Sequence, residues 1–328
     1  MAKNPMSFED AARAIASGRF LALAADEAVL RRLPPGNWIG GTIPYFISEQ
    51  GGLQSREHVL VTELAEAGRP ARILDYTAET LPDVAKDGPD NGFTMLIIPG
   101  MSGLHSQYAA DAAGYQDMFM KPIIGWISGI HLDDLGKAAP KVVNGRTGLV
   151  TDQHAVAVHV PLPAGRLAVV GILNLFSQGD GDTITFPENG FQAGACQVNG
   201  TAANFARYVQ EKGLDLSLPL VADYHGAQIN VSFKGVDAEN GRVDFYAPVF
   251  TGIEYRQANP VGDYAAGFRA LVGGLREHPR FSCNCILNYL HGQLEGKAFG
   301  PFEGPVTFGE IGYQLLNQTL VYLQEVRR

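Results

Sequence analysis

A chain of 328 residues with 46% hydrophobic and 18% charged side chains lies far from the low-hydrophobicity, high-charge regime of disorder and is long enough to divide into two packed units. Its formal net charge of −9 is spread without long runs. That argues against a phosphate-tracking surface, which needs clustered Lys and Arg, so neither nucleic acid nor an anionic membrane is an expected partner.

The opening residues contain Glu9 and Asp10 and no apolar run behind a basic segment, and the longest apolar stretch, Leu167 to Phe176, is interrupted by Gly171 and Asn174. Neither reads as a signal peptide or a membrane span. With three cysteines, an odd number, the expectation is a reducing compartment, the cytoplasm.

In chain order, Ser7 caps a helix running to about Ser17, and Phe20 to Ala24 reads as a buried strand. Asp26 caps a short helix ended by Pro34, Pro35 and Gly36. Asn37 to Phe46 is apolar and β-branched, with adjacent glycines at 40 and 41 that suit close approach. His58 to Leu64 is a strand candidate and Leu74 to Val84 a helix candidate. Phe93 to Pro99 is a buried strand, Leu104 to Phe119 has helical spacing, and Ile123 to Gly129 repeats the tryptophan, isoleucine and glycine texture of Trp38 to Thr42.

From Lys141 the pattern becomes strand after strand, through Val142-Val143, His154 to Val160, Arg166 to Phe176 and Thr183 to Phe186. A lobe boundary falls near Pro161 to Asp182, giving lobes 1–165 and 166–328. Phe191 to Val198 is a strand and Asn199-Gly200-Thr201 starts a helix, Ala202 to Lys212. Strands follow at Pro219 to Asp223, Ala227 to Phe233, Arg242 to Phe250 and Gly252 to Arg256. In the third of these Val243, Phe245 and Ala247 alternate with Asp244 and Tyr246. Asp263 caps a helix, Tyr264 to Arg276, and Phe281 to Leu287, Val306 to Tyr313 and Thr319 to Val326 are the last strands. Several strand pairs leave no room for a crossover helix, so the class is α+β: two lobes of mixed, largely antiparallel sheet flanked by helices.

The densest chemistry lies in Phe281-Ser282-Cys283-Asn284-Cys285 and Phe308-Gly309-Glu310-Ile311-Gly312-Tyr313. Cys283 and Cys285 share a strand face, where core packing is the commoner use of a free thiol. A nucleophile there would need a base and an electropositive site. Zinc would need about four ligands, and none stands at a recognised spacing. Glu310, in an apolar segment beside two glycines, reads as a pocket-facing acid able to accept from an amine or from an internal Arg such as Arg256. Tyr224-His225-Gly226 could supply a proton acceptor or a haem ligand, against the commoner reading of a hydrogen-bonded structural histidine. GxGxxG, Walker, GxSxG and HExxH motifs are all missing from the sequence.

Taken together, these segments resemble the FIST (F-box and intracellular signal transduction) domain, a bacterial sensory domain. Gly40-Gly41-Thr42 is similar to its glycine–threonine turn, Pro122-Ile123-Ile124-Gly125 to its second glycine-ended strand, and Asp152 to Val158 to the segment that follows. Phe281-Ser282-Cys283-Asn284, Gly309-Glu310-Ile311-Gly312 and Asn317-Gln318-Thr319-Leu320 fall in the family's order. Cys285-Ile286 replaces the family's frequent Gly-Arg pair and Tyr313 replaces a proline, so an anion held by that arginine is not implied.

The resemblance implies small-molecule sensing, with amino acids as ligands and haem in a subset. The sensory fold would take up all 328 residues, so the signal would leave through a separate output protein; a homodimer is compatible with this. The expected site is a cleft between the lobes lined by Trp38, Gly41, Thr42, Trp126, Asn284, Asn288, Glu310 and Tyr313. The rival readings are an enzyme using Cys283 or Cys285, or Glu310 with His225, and a haem sensor using His225 or another histidine.

Overall fold

The computed structural model describes residues 4–224, 226–272, 275 and 278–327. The protein is α+β, with mixed and antiparallel sheets and short helices. Local chemistry sets the first elements as expected. The Ser7 hydroxyl accepts from the Asp10 N–H, which caps the helix Phe8–Ala16, and the Asp26 carboxylate caps Glu27–Leu30 in the same way.

Three sheets form the body of the molecule. The first has the order Leu149–Thr151, Val142–Asn144, Trp38–Thr42, Phe20–Ala25, Leu60–Ala65. The second has the order Gln314–Leu316, Glu310–Gly312, Ile123–Ser128, Gly92–Pro99, Ala155–Pro161, Arg72–Tyr76. The third runs Arg166–Asn174, Thr319–Arg327, Phe281–Cys285, Gly304–Thr307, Tyr45–Ser48, Gly51–Gln54. The second and third therefore combine strands from both ends of the chain. Glu310 stands opposite Trp126 in an antiparallel pair, and Pro305 stands opposite Phe46.

A smaller lobe is built from the intervening residues. Its six-stranded sheet and the three-stranded sheet Gly190–Ala193, Arg242–Val249, Phe233–Asp237 enclose a separate core around Phe186, Phe205, Phe245 and Tyr255. The cut at 165/166 thus does not divide the cores, because residues from Tyr264 onward return to the core of the first half. The separately packed unit spans roughly Ile184 to Tyr255.

Several elements differ from the sequence expectation. Leu104 to Phe119 is helical over Gly103–Asp111 with a 3-10 turn Ala112–Gly114 after it, and Phe191 to Val198 and Ala227 to Phe233 are each two strands in different sheets. Leu74 to Val84 is not a helix: Arg72–Tyr76 is an edge strand paired with Ala155–Pro161, followed by a 3-10 turn at Leu81–Asp83, so tertiary pairing overrides local propensity. Asn199 and Gly200 adopt positive φ in a hairpin turn, Thr201–Asn204 is a strand, and the helix begins at Phe205 with Asn204 as its cap. The strand Phe281–Cys285 stops at Cys285, where the helix Ile286–His291 begins. Val306 to Tyr313 is two strands in different sheets, with Phe308 and Gly309 crossing between them.

The second and third sheets pack face to face. Trp126 stacks on Phe281 with centroids 5.5 Å apart, and the Cys283 thiol donates to the Gly125 carbonyl at 3.2 Å. The first sheet reaches this layer at Gly41, where a Cβ would come within 2.7 Å of both Ile97 Cγ2 and Trp126 Nε1. Gly41→Ala is therefore expected to cost about 1–3 kcal/mol through overpacking. Urea unfolding checks this, and a variant as stable as the parent would show that the contact is not close.

Candidate functional site

Glu310 is the most deeply buried acid described, with no exposure. Its Oε2 accepts from the Thr319 N–H at 3.1 Å and from the Thr319 hydroxyl at 2.8 Å, and the Cys285 thiol lies against it. Desolvation outweighs these bonds and pushes its pKa up to about 8, so at neutral pH the group is chiefly a carboxylic acid. The same burial, with Glu310 as the next cause, pushes the Cys285 thiol up as well. Glu310 Oε1, Trp126 Nε1 and Ser128 Oγ are buried without a hydrogen-bond partner among the described residues.

Of the other residues singled out in the sequence, Gly41, Trp126, Asn284 and Asn288 are brought near Glu310, directly or through Thr319, whereas Trp38, Tyr313 and Arg256 lie apart. Trp38 lies in a different core, beneath the helix Phe8–Ala16, with its Nε1 donating to the Pro34 carbonyl at 2.9 Å. Asn288 Nδ2 donates to Asn284 Oδ1 at 2.9 Å and to the Thr319 carbonyl at 3.2 Å, and Asn284 Oδ1 also accepts from the Cys285 N–H, so the two amides brace the start of the helix Ile286–His291. Tyr313 occupies a positive-φ turn position, its carbonyl accepting from Tyr108. Arg256 lies in the smaller lobe, where its Nε donates to Thr183. His225 lies outside the described residues. Among the described residues no group of three or more His, Cys, Asp or Glu side chains could hold a metal.

Thr42 is structural in a specific way. Its hydroxyl donates to the Gly129 carbonyl at 2.7 Å and accepts from the Lys141 N–H at 2.8 Å. Both ends of the loop between Ile123–Ser128 and Val142–Asn144 are thereby tied to one side chain.

That loop overhangs a cavity of about 590 Å³ between the main body and the smaller lobe. Of the residues named from the sequence as site or nucleophile candidates, Cys285 lines it. The wall is largely apolar, with Leu132, Phe191, Ile286, Leu287 and Phe308, while Met101, Leu135 and Leu290 are exposed by 56%, 48% and 43% and form an apolar mouth. Volume and lining match those of small-molecule pockets.

One end of the cavity is polar. The helix Gly103–Asp111, capped by Ser102, carries His105, and it packs against the strand Arg242–Val249 that carries Asp244. Lys234 stands on the neighbouring strand, where Gly235 is opposite Asp244. His105 Nδ1 accepts from the Met101 N–H at 3.2 Å, so Nε2 bears the proton. Burial, and then the Lys234 charge, holds this imidazole down at about 4, so it is neutral. Its Nε2 and Asp244 Oδ1 are both sealed from solvent with no hydrogen-bond partner among the described residues. Arg242 Nε approaches Asp244 Oδ1 to 3.8 Å, and Lys234 has no ion-pair partner among the described residues. His105 with its unpartnered Nε2–H, the exposed Lys234 and Asp244, whose ion pair is with Arg242, thus line the same largely apolar cavity. Sequence reading missed this trio because a helix and a hairpin far apart in the chain build it. The one available signal was the alternation that sets Asp244 apart from Val243 and Phe245.

A family model described as a family of unknown function, DUF6976, matches residues 6–326. The chain belongs to DUF6976. No curated protein matches it. The match to DUF6976 takes in the cavity, the polar trio and Glu310 alike. No helix among the described residues is long and apolar enough to cross a membrane.

The raised carboxyl at 310 gives a signed pH prediction. The folded state keeps the proton up to about 8 while an unfolded glutamate loses it near 4.5, so the stabilising contribution is full below pH 4.5 and declines as pH rises toward 8. The expected loss is a few kcal/mol over that interval, at about 1.4 kcal/mol per unit. Glu310→Gln, neutral and nearly isosteric, should flatten the dependence. Urea unfolding of both proteins at pH 5, 6.5 and 8 measures it, and parallel curves would show that Glu310 is ionised in the fold.

Proposed function

We propose that this protein is a small-molecule-binding sensory protein, of the type that its resemblance to FIST domains implies, and that the ligand occupies the 590 Å³ cavity. The observation that carries the reading is that His105, Lys234 and Asp244 line that cavity beside an apolar wall, with His105 Nε2 and Asp244 Oδ1 lacking a hydrogen-bond partner among the described residues. Leaving buried polar atoms unpaired costs about 1–3 kcal/mol each, and a ligand that pairs them recovers that energy on binding. An α-amino acid with an apolar side chain fits: its carboxylate goes to Lys234 and His105, its ammonium to Asp244, and its side chain to Phe191, Leu287 and Phe308. In this reading the protein acts in the cytoplasm and passes its signal to a separate protein.

Holding a ligand suits these groups better than transforming one. The Cys285 thiol is driven away from its nucleophilic thiolate by burial, Glu310 keeps its proton at neutral pH, and His105 presents N–H where a general base needs a free nitrogen.

A thermal-shift series with leucine, phenylalanine and methionine tests the proposal. At about 100 times its dissociation constant a ligand adds roughly 2.7 kcal/mol, and Lys234→Ala and Asp244→Asn should each remove most of that shift. If no apolar amino acid stabilises the protein, or if the variants respond as the parent does, the assignment fails.

A further inference from the structure

The loop between Gly129 and Lys141 has two unlike sides. Leu132 and Leu135 point into the large cavity, while His131 and Asp134, from the same few residues, line a second, charged depression of about 370 Å³ together with Asp26, Arg31 and Arg56. The loop is therefore a partition one chain thick between two spaces.

Its attachments differ in strength along its length. The ends are fixed by the buried Thr42 hydroxyl, bonded to Gly129 and Lys141. Gly129 has no freedom either, since a Cβ there would come within 2.5 Å of the Phe308 ring. The crest is held differently. Arg56 Nη1 reaches Asp134 at 2.7 Å and Asp26 at 3.5 Å, across exposed ion pairs. The His131 ring stacks on Tyr45 at 5.4 Å, and the Tyr45 hydroxyl accepts from the Leu132 N–H at 3.2 Å. Gly136, at φ +77° with open space around its Cβ position, follows directly after Leu135. Solvent-exposed ion pairs are weak and exchange readily with water, so the crest is far easier to release than the ends.

We propose that the 130–140 loop is the gate of the cavity, with Thr42 as its fixed hinge clamp and the Arg56–Asp134 pair as its latch. In the latched position Leu132 and Leu135 cover one side of the chamber, and release of Asp134 swings them outward and widens the mouth framed by Met101 and Leu290. The second depression is then where the gate is controlled, because whatever competes for Arg56 or Asp134 there changes access to the larger cavity on the loop's other side. This names a regulation of the proposed binding site, and it rests on that reading only for what the cavity holds.

Cys285 supplies a test that needs no ligand, since all three cysteines are buried and Cys285 is the one that lines the cavity, so that its slow labelling reports opening there. The intact chain, its Asp134→Asn variant and its Arg56→Gln variant would be treated with methyl methanethiosulfonate, and the modification rate at each cysteine followed by peptide mass spectrometry. Breaking one exposed latch is expected to raise the Cys285 rate about two- to five-fold, with Cys196 and Cys283 unchanged. The reversed pair, Arg56→Asp with Asp134→Arg, made together with Asp26→Asn so that no other carboxylate faces the introduced one, should return the Cys285 rate to that of the parent. An unchanged Cys285 rate in both single variants overturns the gate, and so does an equal rise at all three cysteines, which would report general loosening. If the rates behave as expected while no amino acid protects Cys285, the gate stands and the ligand assignment falls.

Discussion

The structure depends on the return of residues 281–327 to sheets begun by the first half of the chain. Glu310 is the fastening point. Its carboxyl lies between the second and third sheets, opposite Trp126 in one and bonded to Thr319 of the other. A carboxylate in that position would cost several kcal/mol unpaired, whereas a carboxylic acid with its Oε2 bonded to Thr319 is tolerable. The proton is thus part of the packing, and the two sheets meet on a neutral polar group with Trp126 opposite it and Cys283 and Cys285 beside it.

The cavity follows from the same return. Cys285 ends a strand that faces Glu310 and begins the helix whose residues Ile286, Leu287 and Leu290 form one wall. Phe308 and Asn317 flank the Glu310 strand and complete the floor, while the smaller lobe contributes Lys234 and Asp244 from across the gap. A ligand that filled a site assembled from both bodies would couple their positions through its own contacts.

Much of the fold was legible in the residues. The capped first helices, the buried run Gly92–Pro99, the alternating Arg242–Val249 and the closing strand Thr319–Arg327 all carry local patterns that survive in the structure. Trp38 and Trp126 show where such reading stops. Their surroundings in sequence are nearly alike, yet one ring is sealed under the first helix and the other stacks on Phe281, because the sheet face each strand turns toward is set by partners far along the chain. Thr42 stood out beside its glycines, but its work as a clamp on Gly129 and Lys141 depends on a loop a hundred residues away. His105, Lys234 and Asp244 carry no motif, since each is ordinary in its own element and they acquire meaning only by meeting.

The interleaving of the two chain ends bears on how the molecule is made. On the ribosome, the strands Tyr45–Ser48 and Ile123–Ser128 emerge long before their partners Gly304–Thr307 and Glu310–Gly312 exist. Those strand edges lack these partners until residues 304–312 have been made, while the segment around Phe205 and Tyr255, with a core of its own, is already complete in sequence. In that interval the unpaired edges of the first half are the part of the nascent chain most open to wrong pairing.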